Sequence, residues 1–236
     1  MLRKKIRNAK FATCNNKFYM LVIILLVLSF LSTMFLDANV FVFVNQNLSN
    51  EIDFTYRLDK SLVYRVITSE ELLLCVAGLF SIFTLLCLFK RTFSKLTVKL
   101  IFLFVIYQLL SLCLLNYVKI FLKYIFARCV PEVCLLYNIS LDLSPYGFNF
   151  FSTRNGFVSF PSGHCMILSY ALMWSFYFNS YLKILVLALF SIVFVSLILF
   201  NYHFLGDCFS GTCFGLIFGY ISILIWKLIP ENYLLK

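Results

Sequence analysis

The chain contains two histidines, and both stand beside residues that could support phosphoryl transfer. His164 closes a Pro-Ser-Gly-His sequence, and His203 precedes Asp207 by four positions. A proline followed by small residues is typical of the first turn of a helix, where backbone N–H groups attract a phosphate. On a helical turn, the spacing of four lets a carboxylate hold one imidazole nitrogen while the other acts as a nucleophile. The two sequences therefore predict a nucleophilic histidine, a second histidine and a nearby anion site.

The elements that position these residues must be membrane helices, because the chain is strongly apolar. Hydrophobic residues make up 62% of it and charged residues 13%, and the mean hydropathy is +0.94. This composition excludes a soluble domain, and the lack of alternating apolar and polar positions argues against an outer-membrane barrel. We predict an all-α fold, a polytopic membrane helical bundle of six transmembrane helices that forms a single domain over residues 1–236.

Six apolar segments account for the predicted spans. They cover residues 18–36, 71–89, 100–127, 164–178, 182–200 and 209–228. The first follows a basic N-terminus and is not followed by a cleavage site, so we expect an uncleaved signal anchor. The fourth and fifth are separated by a turn around residues 179–181 and form a tight hairpin. This hairpin returns His164 and His203 to the same face of the membrane.

Basic residues give the chain a formal net charge of +10, but they lie mostly at the ends of the apolar segments. That placement favours charged loops that set membrane topology, and it argues against nucleic-acid binding. Alternating spans place most Lys and Arg on one side, which we expect to be cytoplasmic, and both histidines on the other. We therefore expect a multi-pass protein of the bacterial inner membrane whose site faces the periplasm. In a eukaryote the same face would be a lumen or the exterior.

Two of the predicted outward loops are long. Residues 37–70 mix polar, aromatic and charged positions without a catalytic pattern, so we expect a surface or entrance cap there. Residues 128–163 hold three of the four prolines together with three glycines, which is typical of an ordered, turn-rich loop that carries function. Within this loop, Cys129 and Cys134 are one candidate pair for a disulfide, which cannot be deduced from their spacing.

The Pro-Ser-Gly-His sequence and the His203-x3-Asp207 pair together resemble the second and third signature motifs of the type 2 phosphatidic acid phosphatase and vanadium haloperoxidase superfamily. The six predicted spans and the outward motif loop resemble the membrane-bound lipid phosphatases of that superfamily. The resemblance extends over roughly residues 71–228, with the signature region at about 119–215.

Both arginines of the family's motifs are replaced. The first motif is Lys-x6-Arg-Pro; its lysine (Lys123) and its proline match, and Val130 stands at the arginine position. Arg128, two residues earlier, is a substitute that could turn toward the same phosphate. In the third motif, Leu197 stands where the family has its other arginine. Each lost guanidinium contact is worth about 1.5–3 kcal/mol, and Arg154 in the motif loop is a candidate replacement.

The resemblance implies phosphoryl transfer through a phosphohistidine. His203 attacks phosphorus, Asp207 orients its ring, and His164 protonates the leaving oxygen. The expected phosphate-binding residues are Lys123, Arg128, Ser162 and Gly163. These residue types require no metal and no cofactor, and no cluster of carboxylates in the sequence indicates a magnesium site.

A site at the mouth of a membrane bundle is open sideways to lipid, so the expected substrate is a lipid phosphate monoester or diphosphate. Phosphatidic acid, phosphatidylglycerol phosphate, undecaprenyl diphosphate and lipid A phosphate are examples. Two alternatives stay open. One is a lipid phosphotransferase or headgroup transferase, because sphingolipid headgroup synthases are similar in keeping both histidines and the aspartate without the phosphatase arginines. The other is a non-catalytic membrane protein that binds phospholipid.

Overall fold

Helices dominate the structure, a computed structural model that describes residues 15–48, 95–131, 147–153, 156–178 and 180–229. In chain order they are α1 (Asn15–Leu31), a π-helical turn (Ser32–Leu36), α2 (Asp37–Leu48), α3 (Lys95–Phe126), α4 (Gly163–Phe178), α5 (Ser180–Leu199) and α6 (Leu205–Leu228). Over these ranges there is no strand, and an isolated antiparallel bridge joins Arg128 to Phe148. The prediction of an all-α fold is confirmed.

Three helical segments are long and apolar enough to cross a membrane: Asn16–Asn47, Phe102–Phe126 and Leu205–Leu228. They correspond to the first, third and sixth predicted spans. α4 has 16 residues, and at about 1.5 Å per residue it is shorter than a hydrocarbon core of about 30 Å. The apolar part of α5, Lys183–Leu199, is also short, and the second predicted span lies outside the described residues. The structure therefore supports three of the six predicted spans.

α1 and α2 form one helical rod, which corrects the prediction that a loop begins at residue 37. The rod passes through the π-helical turn and continues to Leu48. Asp37 does not end the helix, because its carboxylate is bonded to the start of α6, where Oδ1 accepts from the N–H of Gly206 (2.9 Å). Ser29 supports the same contact by donating to the carbonyl of Gly206 (3.0 Å). An acidic side chain in an apolar helix is tolerated where it faces such polar groups of the bundle interior.

Glycines on α6 bring it close to α4. Gly211, Gly215 and Gly219 recur every four residues and so lie on one face of the helix. A Cβ at Gly211 would overlap the carbonyl oxygen of Ser162, and a Cβ at Gly215 would overlap that of Met166. Small residues at this spacing let membrane helices pack backbone against backbone. This close packing fixes the start of α4 against the first turns of α6.

A buried hydrogen-bond network joins α3, α4 and α6 within the bundle. Tyr107 Oη donates to the carbonyl of Ser222 (2.5 Å), and Tyr170 Oη donates to Gln108 Oε1 (2.6 Å). The Ser222 hydroxyl lies within hydrogen-bond distance of Tyr107 Oη (3.1 Å) and of Ser111 Oγ (3.3 Å). Polar groups in an apolar interior are costly unless they are bonded. The network therefore holds the three helices in one arrangement.

Candidate active site

His203 lies in the short connection between α5 and α6, and its ring is held at Nδ1. The chain turns through Asn201 in the left-handed region (φ 54°), and the N–H of His203 donates to the carbonyl of Leu197 (3.2 Å). Nδ1 of His203 is 3.2 Å from Ser159 Oγ and 3.6 Å from Asp207 Oδ2. Because the His203 side chain is 9% exposed, protein groups make up most of its surroundings.

Ser159 connects His203 to Asp207. Its hydroxyl donates to Asp207 Oδ2 in a short hydrogen bond. A hydroxyl has one proton, so the Ser159 oxygen accepts from Nδ1–H of His203. This assignment puts the ring proton on Nδ1 and a lone pair on Nε2, as a nucleophilic imidazole requires. The backbone N–H of Ser159 donates to the carbonyl of Arg128 (2.9 Å), which fixes the loop before α4 to the end of α3.

Asp207 is fully buried in the first turn of α6 and accepts hydrogen bonds on both oxygens. Oδ2 accepts from the backbone N–H of Phe204 (3.1 Å) as well as from Ser159, and Oδ1 accepts from Arg128 Nη1 (2.6 Å). A carboxylate at this position also interacts favourably with the positive end of the helix dipole. These contacts compensate for its removal from water.

His164 lies in the first turn of α4, and its ring centroid is 6.3 Å from that of His203. Ser162 caps this helix, because its Oγ accepts from the N–H of Cys165 (3.5 Å). The structure thus brings both imidazoles to the end of the bundle where α3 and α5 finish and α4 and α6 begin, which we call the site end. The N–H of Ser162, expected at a phosphate, donates to the carbonyl of Asp207 (3.0 Å) instead.

Arg128 is completely buried between two carboxylates. Nη1 donates to Asp207 Oδ1 (2.6 Å), and Nη2 donates to Asp37 Oδ2 (2.7 Å). Burial alone would lower the pKa of the Arg128 guanidinium, but Asp207 and Asp37 outweigh it and hold the pKa above its usual value. The sequence predicted that Arg128 turns toward the phosphate. The structure places the guanidinium inside the protein, where two buried carboxylates are bridged by one planar cation.

Aromatic rings cover the group formed by Asp37, Arg128 and Asp207, which we call the ion cluster. Arg128 Cζ lies 4.4 Å from the ring centroid of Phe204 and 5.7 Å from that of Phe148. These rings contribute cation–π attraction and keep water away from the guanidinium. Because a lower local dielectric strengthens interactions between charges, each member of the ion cluster strongly affects the others.

Two lysines of α3 bring positive charge to the site end. Lys119 is buried, and its Cδ lies 2.7 Å from the position that a Cβ would occupy at Gly163. Glycine at this position therefore lets the stem of Lys119 pass against the first turn of α4. Lys123 follows one turn later, half-buried in the last turn of α3. The motif spacing indicated Lys123 and gave no reason to select Lys119.

Apolar side chains occupy both positions at which the family's motifs have arginine. Leu197 is buried against Cys165 and Cys208. Val130 is half-buried, and its backbone N–H donates to the carbonyl of Gly156 (2.8 Å). The other candidate replacement, Arg154, lies outside the described residues. No described side chain supplies a guanidinium at the two motif positions.

Cys129 follows Arg128 and is buried. Its Sγ lies 3.5 Å from the carbonyl oxygen of Val130. Cys134, its candidate disulfide partner, lies outside the described residues, so the pairing stays a prediction.

Three residues at the site end were not identified from the sequence. Ser159 and Lys119 belong to none of the motif spacings, and Asp37 was assigned to a cap. A signal for Asp37 was nevertheless present, because Ser29, Thr33 and Asp37 recur at intervals of four near the end of the first apolar segment. Ionisable residues in membrane helices are candidates for function by default.

Comparison with known families agrees with the motifs. The model of the PAP2 superfamily matches residues 104–231, which is more than half of the chain and includes both histidines, Asp207 and Arg128. Comparisons with curated proteins and with solved structures gave no match. The match confirms the resemblance drawn from the motifs, and Asp37 lies outside the matched segment. The chain therefore belongs to the PAP2 superfamily.

Proposed function

We propose that this protein is an integral membrane lipid phosphatase that hydrolyses a phosphate monoester or diphosphate through a phosphohistidine intermediate. Membership of the PAP2 superfamily supports a phosphatase-type enzyme. The observation that carries the proposal is the contact of His203 Nδ1 with Ser159 and Asp207, which directs the lone pair of Nε2 away from the buried network. His164 lies close enough to act on the same substrate group.

The proposed reaction has two steps. Nε2 of His203 attacks phosphorus, the bond between phosphorus and the lipid oxygen breaks, and protonated His164 gives its proton to that oxygen. The lipid alcohol leaves from a monoester, and the lipid monophosphate leaves from a diphosphate. The negative charge of Asp207 stabilises the positive charge on the phosphorylated ring. Water then attacks phosphorus, His164 takes a proton from it, and His203 leaves from the released inorganic phosphate.

The phosphate oxygens would be held mainly by lysine and backbone groups. Lys123 and Gly163 keep the roles expected from the motifs, and Lys119 adds a second cation beside Gly163. Ser162 acts as the helix cap that orients this turn. We assign Arg128 a positioning role, because both of its terminal nitrogens are bonded to carboxylates.

The surface near the site end supports a lipid substrate. Phe150 is 57% exposed, Phe151 is 59% exposed and Val158 is 49% exposed, although all three belong to the segment that leads to the Pro-Ser-Gly-His turn. Phe150 also packs against Phe126 at the end of α3, with ring centroids 5.9 Å apart. Exposed apolar groups at this level are suited to contact acyl chains beside the headgroup.

The proposal includes a six-span topology with the site end at the periplasmic face of a bacterial inner membrane. The three described spans and the direction of each helix agree with that alternation, since α1 and α3 run toward the site end and α6 runs away from it. Lys183 and Lys227 lie at the opposite end, as the distribution of positive charge in cytoplasmic loops requires.

A transferase is the second candidate, and the absence of a motif guanidinium favours it. Leu197 is buried in an apolar contact, and Arg128 is bonded to carboxylates. Fewer cations are therefore left to bind the phosphoryl group of the phosphoenzyme than the family's motifs provide. The same intermediate could then pass its phosphoryl group to a lipid hydroxyl instead of to water. The two functions differ in whether inorganic phosphate or a new phospholipid is formed.

The proposal is tested by incubating detergent-solubilised protein with a panel of lipid phosphates in the presence of a chelator. Phosphatidic acid, phosphatidylglycerol phosphate, undecaprenyl diphosphate and lipid A phosphate make up the panel, and both inorganic phosphate and new lipids are measured. We expect phosphate release that His203→Ala and His164→Ala each reduce by at least about 10³-fold, since each removes a reacting group.

Ser191→Ala is the matched control, because Ser191 is an exposed serine of α5 whose hydroxyl bonds within its own helix turn (2.9 Å to the carbonyl of Leu187). Its activity should equal that of the unmodified protein. Equal activity in the two histidine variants would reject a histidine-based enzyme, and release of a new lipid without phosphate would favour the transferase.

A further inference from the structure

Asp37 is a buried acid outside the segment that matches the family, yet it contacts two parts of the site end. Its Oδ2 accepts from Arg128 Nη2 (2.7 Å), and its Oδ1 accepts from the N–H of Gly206 (2.9 Å). Gly206 immediately precedes Asp207. One carboxylate therefore holds both the cation that pairs with Asp207 and the helix turn that carries Asp207.

Glycine at position 206 keeps this contact close. A Cβ there would lie 2.9 Å from Asp37 Oδ2 and would overlap the hydroxyl of Thr33. Ser29 completes the interface by donating to the carbonyl of Gly206 (3.0 Å). The rod formed by α1 and α2 is thus built to receive the start of α6.

The charges of the ion cluster indicate what this contact does. Arg128 carries one positive charge and faces two carboxylates, so the cluster with both acids ionised has a net charge of −1. Without Asp37, Arg128 would neutralise Asp207 alone. With Asp37 present, the charge of Arg128 is shared, and Asp207 keeps negative charge for the ring of His203.

We propose that Asp37 is a positioning residue of the catalytic site, which balances Arg128 so that Asp207 can stabilise positive charge on His203. This inference rests on the proposed function for its catalytic meaning. The contacts that carry it are those of Asp37 with Arg128 and Gly206 and those of Asp207 with Arg128 and Ser159. The first helical rod, which lies outside the family match, thereby becomes part of the active site.

The groups that face His203 are few enough for a clear test. Among the described residues they are Asp207 on α6, Ser159 in the loop before α4 and His164 on α4. Arg128 is bonded to Asp207, and Asp37 is bonded to Arg128. Lys119 and Lys123 also lie near this end of α3. Since the chain has two histidines, NMR of histidine-labelled protein in detergent can follow each imidazole separately as the pH is changed. The variant His164→Gln assigns them.

We expect Asp37→Asn to move the titration midpoint of His203 to lower pH, because it removes one negative charge from the ion cluster that reaches His203 through Asp207. Asp37→Glu keeps the negative charge, so its His203 midpoint should lie close to that of the unmodified protein. Ser29→Ala is the matched control: it removes a neutral hydrogen bond to the same residue, Gly206, and should leave the midpoint in place.

Arg128→Gln removes the opposite charge and should move the midpoint to higher pH. The double variant Asp37→Asn with Arg128→Gln should return toward the unmodified protein. If Arg128→Gln does not fold, the comparison of Asp37→Asn with Ser29→Ala still tests the role of Asp37. In the phosphatase assay, Asp37→Asn should lower kcat about tenfold with KM within about twofold, since Asp37 contacts no substrate.

An unchanged His203 midpoint in Asp37→Asn, or an equal change in Ser29→Ala, would overturn the inference and leave Asp37 with a purely structural role. The titration needs no substrate, so it is independent of the proposed function. A protein that releases no phosphate but shows the expected shift would reject the phosphatase and keep the coupling. An active protein without the shift would keep the phosphatase and reject the coupling between Asp37 and His203.

Discussion

At the residue scale, the site depends on how charge is compensated away from water. Asp207 and Asp37 are both fully buried, and Arg128 between them is also fully buried. A buried ion pair is maintained only when its geometry and hydrogen bonds repay the loss of hydration. The planar guanidinium has two terminal nitrogens that donate to two separate carboxylates at fixed positions. The ammonium group of a lysine has a single nitrogen and does not provide this geometry. Arg128 is therefore suited to hold the carboxylate of Asp207 in place.

Replacing Arg128 and Lys123 one at a time should distinguish a residue that positions Asp207 from a residue that binds the phosphate. Arg128→Met leaves two buried carboxylates without a cation and should lower the free energy of unfolding by about 3–5 kcal/mol. Lys123→Met removes a half-buried cation and should have a smaller effect on stability while raising KM for the lipid phosphate. Thermal unfolding in detergent and steady-state kinetics measure the two effects. Arg128→Met with normal stability and a raised KM would instead make Arg128 a phosphate ligand.

At the element scale, close helix packing determines where the two histidines meet. α4 carries His164 and α6 carries Asp207, and the glycines of α6 bring the two backbones together. The polar network of Tyr107, Tyr170 and Ser222 fixes α3 against the same pair. Both features hold the first turn of α4 near the connection that carries His203. The geometry of the site is thus set by helices that contact one another mostly away from the site end.

The glycines of α6 should tolerate alanine unequally. At Gly211 the added methyl group would overlap the backbone carbonyl of Ser162, which cannot move without moving the cap of α4. At Gly219 the nearest atom is Met173 Cβ (2.8 Å), followed by Cγ on the flexible part of that side chain (3.2 Å). We expect Gly211→Ala to destabilise the protein by about 1–3 kcal/mol and to reduce kcat, and Gly219→Ala to change both less. Parallel unfolding and activity measurements check this order, and equal losses would contradict it.

At the scale of the whole molecule, the bundle has two chemically different ends. The site end holds the histidines, the ion cluster and exposed aromatic residues of the segment 147–153. At the other end, Lys183 Nζ lies 5.1 Å from the ring of Phe176 and Lys227 Nζ lies 5.4 Å from that of Tyr177. Lysines that reach from a helix end over aromatic rings are typical of a membrane interface. This polarity supports the proposal of a lipid phosphatase with a single active face.

The proposed orientation can be measured in intact cells with a thiol reagent that does not cross membranes. Thr153→Cys places a thiol on the exposed segment at the site end, and Leu228→Cys places one at the exposed end of α6 on the opposite side. We expect labelling above that of the unmodified protein for Thr153→Cys only. Permeabilising the cells should then expose Leu228→Cys. Labelling in the reverse order would place the site on the cytoplasmic side.

Local sequence patterns were sufficient for the helical class and the family, because apolar segments, the Pro-Ser-Gly-His turn and the spacing of His203 and Asp207 are properties of neighbouring residues. Three described helical segments are long and apolar enough to be three of the predicted spans. The pairing of His203 with Asp207 through Ser159 was beyond such patterns, because Ser159 lies 44 residues from His203 in the chain.

The roles of Arg128 and Asp37 depended on contacts between still more distant segments. A local motif suggested that Arg128 faces a phosphate, and no pattern in the sequence links it to Asp37. That acid stands 91 residues away on another helix, and burial makes its pairing with the guanidinium stronger than exposure to solvent would. The position of a buried charge follows from the counter-charges that folding brings to it, and these can be identified only when the helices are in place.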